Sequence, residues 1–157
     1  MKDLPEEIVK FFNEQGFVIV STLDPENTIH SSAKGIVGIS KEGRICVIDI
    51  YMGKTWDNIK NNPVMTITAI DEYRFIGYAL KGKALIVNKE DIKEHVSRNW
   101  EKKVTDRISK RVVENVKKQK SSLIQPEAKF PKPQYLIQMI VDEIVNLTPN
   151  ELRKPHK

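Results

Sequence analysis

The chain has 157 residues and a net charge of +5. With 30% charged and 39% hydrophobic residues it has the composition of a globular protein, which excludes a disordered or fibrous class. A lone cysteine, Cys46, excludes an intrachain disulfide, and no apolar run approaches the ~20 residues of a membrane span, so one cytoplasmic domain over residues 1–157 is expected. The charge suits anionic ligands, phosphates included, but is too small to mark a nucleic-acid binder.

Residues 4–15 predict an amphipathic helix. Pro5 suits its first turn, Glu6 and Glu7 suit the positive end of its dipole, and Ile8, Phe11 and Phe12 share one face. Strand-like runs follow at 17–23 (FVIVSTL), 28–39 (TIHSSAKGIVGI) and 44–50 (RICVIDI), separated by the turns DPEN and SKEG. The segment GKTWDNIKNNP, residues 53–63, predicts a short helix over 55–61 that Pro63 stops. A strand at 64–70 comes next, then a long one at 74–87 in which Gly77 and Gly82 predict bulges or a sharp bend. A basic helical insertion is expected over about 89–120, with Ile92, Val96 and Trp100, then Ile108, Val112 and Val116, at helical spacing. Pro126, Pro131 and Pro133 mark an irregular crossing before a last strand at 134–147. Consecutive strands with an inserted helix predict an α+β fold with an antiparallel barrel.

Gly53-Lys54-Thr55 has the ending of a nucleoside-triphosphate loop, but that loop needs a glycine where Ile48 stands, inside a strand. What survives is the capacity to hold an anion. A helix start offers free N–H groups and a positive dipole end, and Lys54 and Thr55 add a charge and a hydroxyl. The simpler reading makes Thr55 the helix N-cap and leaves Lys54 in water.

The histidines His30, His95 and His156 show no metal-ligand spacing, and Cys46 on an apolar strand reads as a small buried hydrophobe. His30 reads as a hydrogen-bonded strand residue ahead of an acid or a haem ligand. The basic segment reads first as a solvated face. Trp56, Trp100 and Tyr135 are candidates to close a substrate pocket, with core or interface packing as the alternative.

The hairpin IHSSAKGIVGI, the strand ICVIDI, the pair Lys54-Thr55, the run NIKNNPVMTI and Gly82-Lys83-Ala84 occur in a familiar order. Over about residues 12–87, and again in the last strand, the chain resembles the FMN-binding split-barrel family related to pyridoxamine 5'-phosphate oxidase. The resemblance implies a six-stranded antiparallel split β-barrel with flanking helices. It also implies a homodimer with FMN at the subunit interface and a small-molecule redox partner. By resemblance the flavin phosphate meets Lys54 and Thr55 with Asn58 beside them, the ring runs along Ser32, Ala33, Lys34 and Gly35, and Ile48 and Asp49 face the ribityl-phosphate end. Asp49 is expected to pair with Lys54 or a ribityl hydroxyl. Lys34 either stabilises negative charge on the flavin or guards a sheet edge in solvent. Relatives also use a deazaflavin or haem. The oxidase proper has an arginine where Ala33 stands and a glutamine where Gly77 stands, and its C-terminal Arg-x-His motif has no counterpart here. Pyridoxamine phosphate oxidation is therefore not expected. The resemblance leaves an FMN-dependent oxidoreductase as the leading expectation, and a non-enzymatic flavin or haem carrier, sensor or storage protein as the alternative.

Overall fold

Apolar residues alternate along each strand, and the computed structural model, which describes residues 2–118, 125–133 and 135–153, turns that alternation into a barrel. The strands are β1 (Val18–Leu23), β2 (Ile29–Ile39), β3 (Arg44–Asp49), β4 (Val64–Asp71), β5 (Ile76–Asn88) and β6 (Tyr135–Asn146). They close antiparallel in the order β1-β2-β3-β6-β5-β4, the α+β split barrel the resemblance implies. Inward residues such as Val20, Ile45, Val47, Ile67, Leu80, Ile137 and Met139 fill the core. Helix α1 (Glu6–Glu14) adds Ile8, Phe11 and Phe12, with Phe11 edge-on to Tyr78 at 5.2 Å. Residues 119–120 of the expected insertion, Gln134 and His156 lie outside the described residues.

Helix α2 (Lys54–Asn61) joins β3 to β4 and opens one residue earlier than expected. Gly53, not Thr55, is its N-cap residue, so Thr55 is the second helical residue, two positions past the cap, and is buried. Asn58 is also buried and donates Nδ2–H to Thr22 Oγ1 at 3.0 Å, which ties α2 to β1.

The insertion is a short 3₁₀ turn (Lys89–Asp91) followed by α3 (Glu94–Lys117). It lies over the outer faces of β2, β3 and β6, where Val37, Ile48 and Leu136 pack with Ile92, Val96 and Trp100 in a second, smaller apolar cluster. Beyond Trp100 the helical spacing does not mark a buried stripe: Val112 and Val116 are exposed. Among the described residues no helix is long and apolar enough to cross a membrane.

Of the two glycines expected to bend β5, Gly82 does so. The β5–β6 register shifts between Lys81 and Gly82, and a Cβ on Gly82 would lie 1.9 Å from the Ile140 carbonyl oxygen. Gly77 keeps regular pairing, but a Cβ there would crowd Ile70 and Leu147 at 3.3 Å. Gly82→Ala must push β6 away and should destabilise by about 1–3 kcal/mol, whereas Gly16→Ala, with nothing within 4 Å, should stay within about 0.5 kcal/mol. Urea unfolding of both variants checks the contrast.

Candidate functional site

The register of β2 and β3 brings the predicted residues to one place. A cavity of about 260 Å³ lies between these strands and α3. Ala33, Lys34, Gly35, Ile48 and Asp49 form its strand wall, and Trp100 lies on its helix wall. Its remaining lining was not legible in the sequence. Phe17, Ile36, Val37, Ile50, Tyr51 and Phe130 make it largely apolar, and Val104, Lys103 and Arg107 come from α3. The signal for the last two was their four-residue spacing, which puts them on one helix face.

The polar end of the cavity is built on Asp49, whose side chain is only 2% exposed. Its Oδ2 accepts the Tyr135 hydroxyl at 2.6 Å and lies 2.7 Å from Lys34 Nζ, while Oδ1 accepts the Tyr51 amide at 3.3 Å. Asp49 therefore pairs with Lys34, not with Lys54, because both side chains turn inward from paired strands. Lys34 is not a sheet-edge lysine in solvent: its side chain is 13% exposed. Tyr135 does not close the cavity either. It is fully buried, and burial, then the Asp49 carboxylate, push its hydroxyl far above the usual range. Trp56 also departs from its pocket role. It packs half-buried on the core, edge-on to Tyr135 at 6.4 Å, with Lys60 over its ring and its Nε1–H buried without a hydrogen-bond partner among the described residues.

On α3, Lys103 donates to the Ile36 carbonyl at 2.8 Å, and Arg107 donates to the Gly16 carbonyl at 2.7 Å while stacking on Phe17. Burial, then Arg107, lower the Lys103 pKa. Arg111 holds both oxygens of Glu127 at 2.6 Å, which fastens α3 to the 3₁₀ turn Pro126–Lys129 beside Phe130.

The second feature is the start of α2, which follows the cavity residues in the chain: Ser32 precedes Ala33 in β2, and Gly53 lies two residues past Tyr51. The amides of Trp56 and Asp57 bond to the Gly53 carbonyl, whereas those of Lys54 and Thr55 have no main-chain acceptor among the described residues. Ser32 Oγ and Thr55 Oγ1 are 3.0 Å apart. Lys54 is half exposed, 3.4 Å from Asp24 Oδ2, a residue the sequence marked only as part of a turn. Asp24 accepts the Glu26 and Thr28 amides and the Thr28 hydroxyl, and these bonds, led by that hydroxyl, hold its carboxyl at about 2. Two amides without a main-chain acceptor among the described residues, an ammonium and two hydroxyls fit a phosphate, and the apolar slot against β2 and β3 fits a planar ring. Among the described residues no group of three His, Cys, Asp or Glu could hold a metal. His30 sits half-buried in β2 opposite Thr22, and Cys46, half-buried beside the second cluster, has its thiol pKa raised by burial.

Arg111 holds Glu127 at about 2, as Thr28 holds Asp24. Both folded values lie below the unfolded carboxylate range near ~4, so their stabilisation is complete above that value and is lost as pH falls toward 2. Melting temperature should drop through this window, and Glu127→Gln should lower it at neutral pH while flattening the acid slope.

Residues 4–129 match the family described as pyridoxamine 5'-phosphate oxidase. A search of curated proteins gives no match. Among solved structures, HupZ of Group A Streptococcus aligns with a TM-score of 0.66 at 19% identity, covering 92% of this chain and 94% of that one. An F420 reductase gives 0.56 at 14% identity, covering 90% and 98%, and general stress protein 26 of Bacillus anthracis gives 0.56 at 17%, covering 92% and 94%. At these identities the structures share the fold. The barrel, its order of strands and the match over most of the sequence agree: the chain belongs to the pyridoxamine 5'-phosphate oxidase family.

Proposed function

We propose that the chain binds FMN and serves as an oxidoreductase, passing hydride or electrons between a nicotinamide or other small donor and an acceptor. The observation that carries this reading is that β2 and the β3–α2 segment supply both an apolar slot, at Ala33, Gly35 and Ile48, and a phosphate-compatible helix start, at Lys54 and Thr55. Lys54, Thr55 and the free amides would hold the phosphate, with Ser32 behind Thr55 and Asn58 fixing the helix. Ala33, Gly35 and Ile48 would face the ring, and the absence of bulk at Ala33 and Gly35 leaves the strand backbone open to it. Lys34, oriented by Asp49, would place a positive charge at the polar end. When bound, the flavin would supply the redox chemistry, and the chain supplies position, charge and exclusion of water.

Ala33 and Gly77, in place of the oxidase's arginine and glutamine, argue against pyridoxamine phosphate as substrate. The fold likeness to an F420 reductase keeps a deazaflavin among the cofactors to test. A homodimer with the flavin at its interface fits the outward apolar residues of β1 and β4, Ile19, Val64 and Ile70, which are exposed in the single chain. A cytoplasmic location fits the free thiol. One observation favours the alternative of a carrier, sensor or storage protein: the acid on the cavity wall, Asp49, is fully engaged and has no free role in proton transfer. Oxidation of a reduced nicotinamide by the FMN-loaded protein separates the two.

Lys54→Ala tests the phosphate assignment. FMN affinity should fall about ten- to hundredfold, the loss of one charge-assisted contact, with riboflavin affinity nearly unchanged. Equal losses for both flavins would remove Lys54 from the phosphate.

A further inference from the structure

The lysine of β2 and the lysine that opens α2 are each met by a buried aspartate. Lys54 Nζ lies 3.4 Å from Asp24 Oδ2, and Lys34 Nζ 2.7 Å from Asp49 Oδ2, with the acid side chains 6% and 2% exposed. Neither acid can turn away. Asp24 is pinned by two amides and a hydroxyl, Asp49 by the Tyr135 hydroxyl and the Tyr51 amide. Lys54, by contrast, carries its charge on a flexible and half-exposed stem. The neighbouring Thr55 hydroxyl is engaged with Ser32, and Asp57 adds another acid to the first turn of α2. A phosphate arriving here meets one movable ammonium and one fixed carboxylate. The cradle has the right donors and almost no surplus positive charge.

We infer that Asp24 sets the affinity of this cradle and makes its phosphate ligand exchangeable. Asp24 competes with the phosphate for Lys54 and repels the phosphate charge, so FMN enters and leaves as a diffusible co-substrate or cargo instead of staying as a resident group. This inference rests on the FMN reading above and adds the mode of use.

Titration of the purified full chain with FMN and with riboflavin, followed by flavin fluorescence, tests it in the wild type, Asp24→Asn, Lys54→Ala and the double variant. Asparagine at 24 keeps an oxygen for the Glu26 and Thr28 amides and loses the charge, while its amide nitrogen donates to the Thr28 hydroxyl instead of accepting from it. Asp24→Asn should bind FMN about five- to tenfold more tightly and release it more slowly on dilution, with riboflavin changed less than about twofold. The double variant should recover part of the Lys54→Ala loss. Unchanged or weaker FMN binding by folded Asp24→Asn overturns the inference and leaves the FMN reading standing. If thermal melting finds Asp24→Asn unfolded, Lys54→Ala decides. There Asp24 faces the phosphate unopposed, so FMN must bind more weakly than riboflavin, and equal or tighter FMN binding overturns the inference. Failure of the wild type to bind either flavin overturns both readings together.

Discussion

A buried carboxylate at the end of β3 ties together the elements from which the site is made. Asp49 accepts from Tyr135 of β6 and pairs with Lys34 of β2, so three adjacent strands meet in one polar cluster. A charge this deeply enclosed is costly unless it is paired and hydrogen-bonded, and here each neighbour satisfies the others. Breaking the cluster by removing one partner would leave an uncompensated group inside the barrel. The cluster also fixes the point where β3 ends. The chain then passes through Tyr51 to Gly53 and α2, so the cavity's polar end and the opening of α2 share one support.

The helix wall is held differently. α3 buries none of its residues fully, and past the half-buried Ile108 its apolar residues Val112, Val113 and Val116 are exposed. Lys103, Arg107 and Arg111, one helical turn apart, instead grip a strand carbonyl, a loop carbonyl and a buried glutamate. Backbone and carboxylate acceptors replace a core along this half of the helix. The cavity therefore has one wall of packed strand and one wall fastened by cations, the weaker of which is expected to open first.

The fold was largely legible because its signals are local. Alternation marked every strand, Pro63 ended α2, and the glycines of β5 marked the barrel's tight approach. Its boundaries moved by a residue or two at element ends: β5 starts at Ile76 instead of 74, and Gly53 took the cap position expected of Thr55. Site residues on β2 and β3 were legible through a family order of motifs. The pairings between them were not. Nothing local says that Lys34 reaches Asp49 while Lys54 reaches Asp24, since each pair is separated in the chain; the β2–β3 pairing decides the first, and the placement of α2 beside the turn after β1 decides the second. For Tyr135 and Trp56 the sequence left pocket and core packing open, and the structure shows the core: β6 alternation turns Tyr135 inward, and Trp56 packs on the core. Lys103 and Arg107 were hidden in a charge-rich helix whose exposed and inward cations look alike without the strands beneath them.

Reconstitution of the purified chain bears most directly on the central claim, that this barrel holds a flavin. After incubation with FMN, with a deazaflavin and with haem in separate samples, and removal of excess ligand at equilibrium, visible absorbance reports what is retained. The account predicts saturable uptake of FMN at one per chain, with the two-band spectrum of an oxidised flavin. Saturable uptake of haem or deazaflavin with no uptake of FMN, or a chain that takes up none of the three, would contradict it.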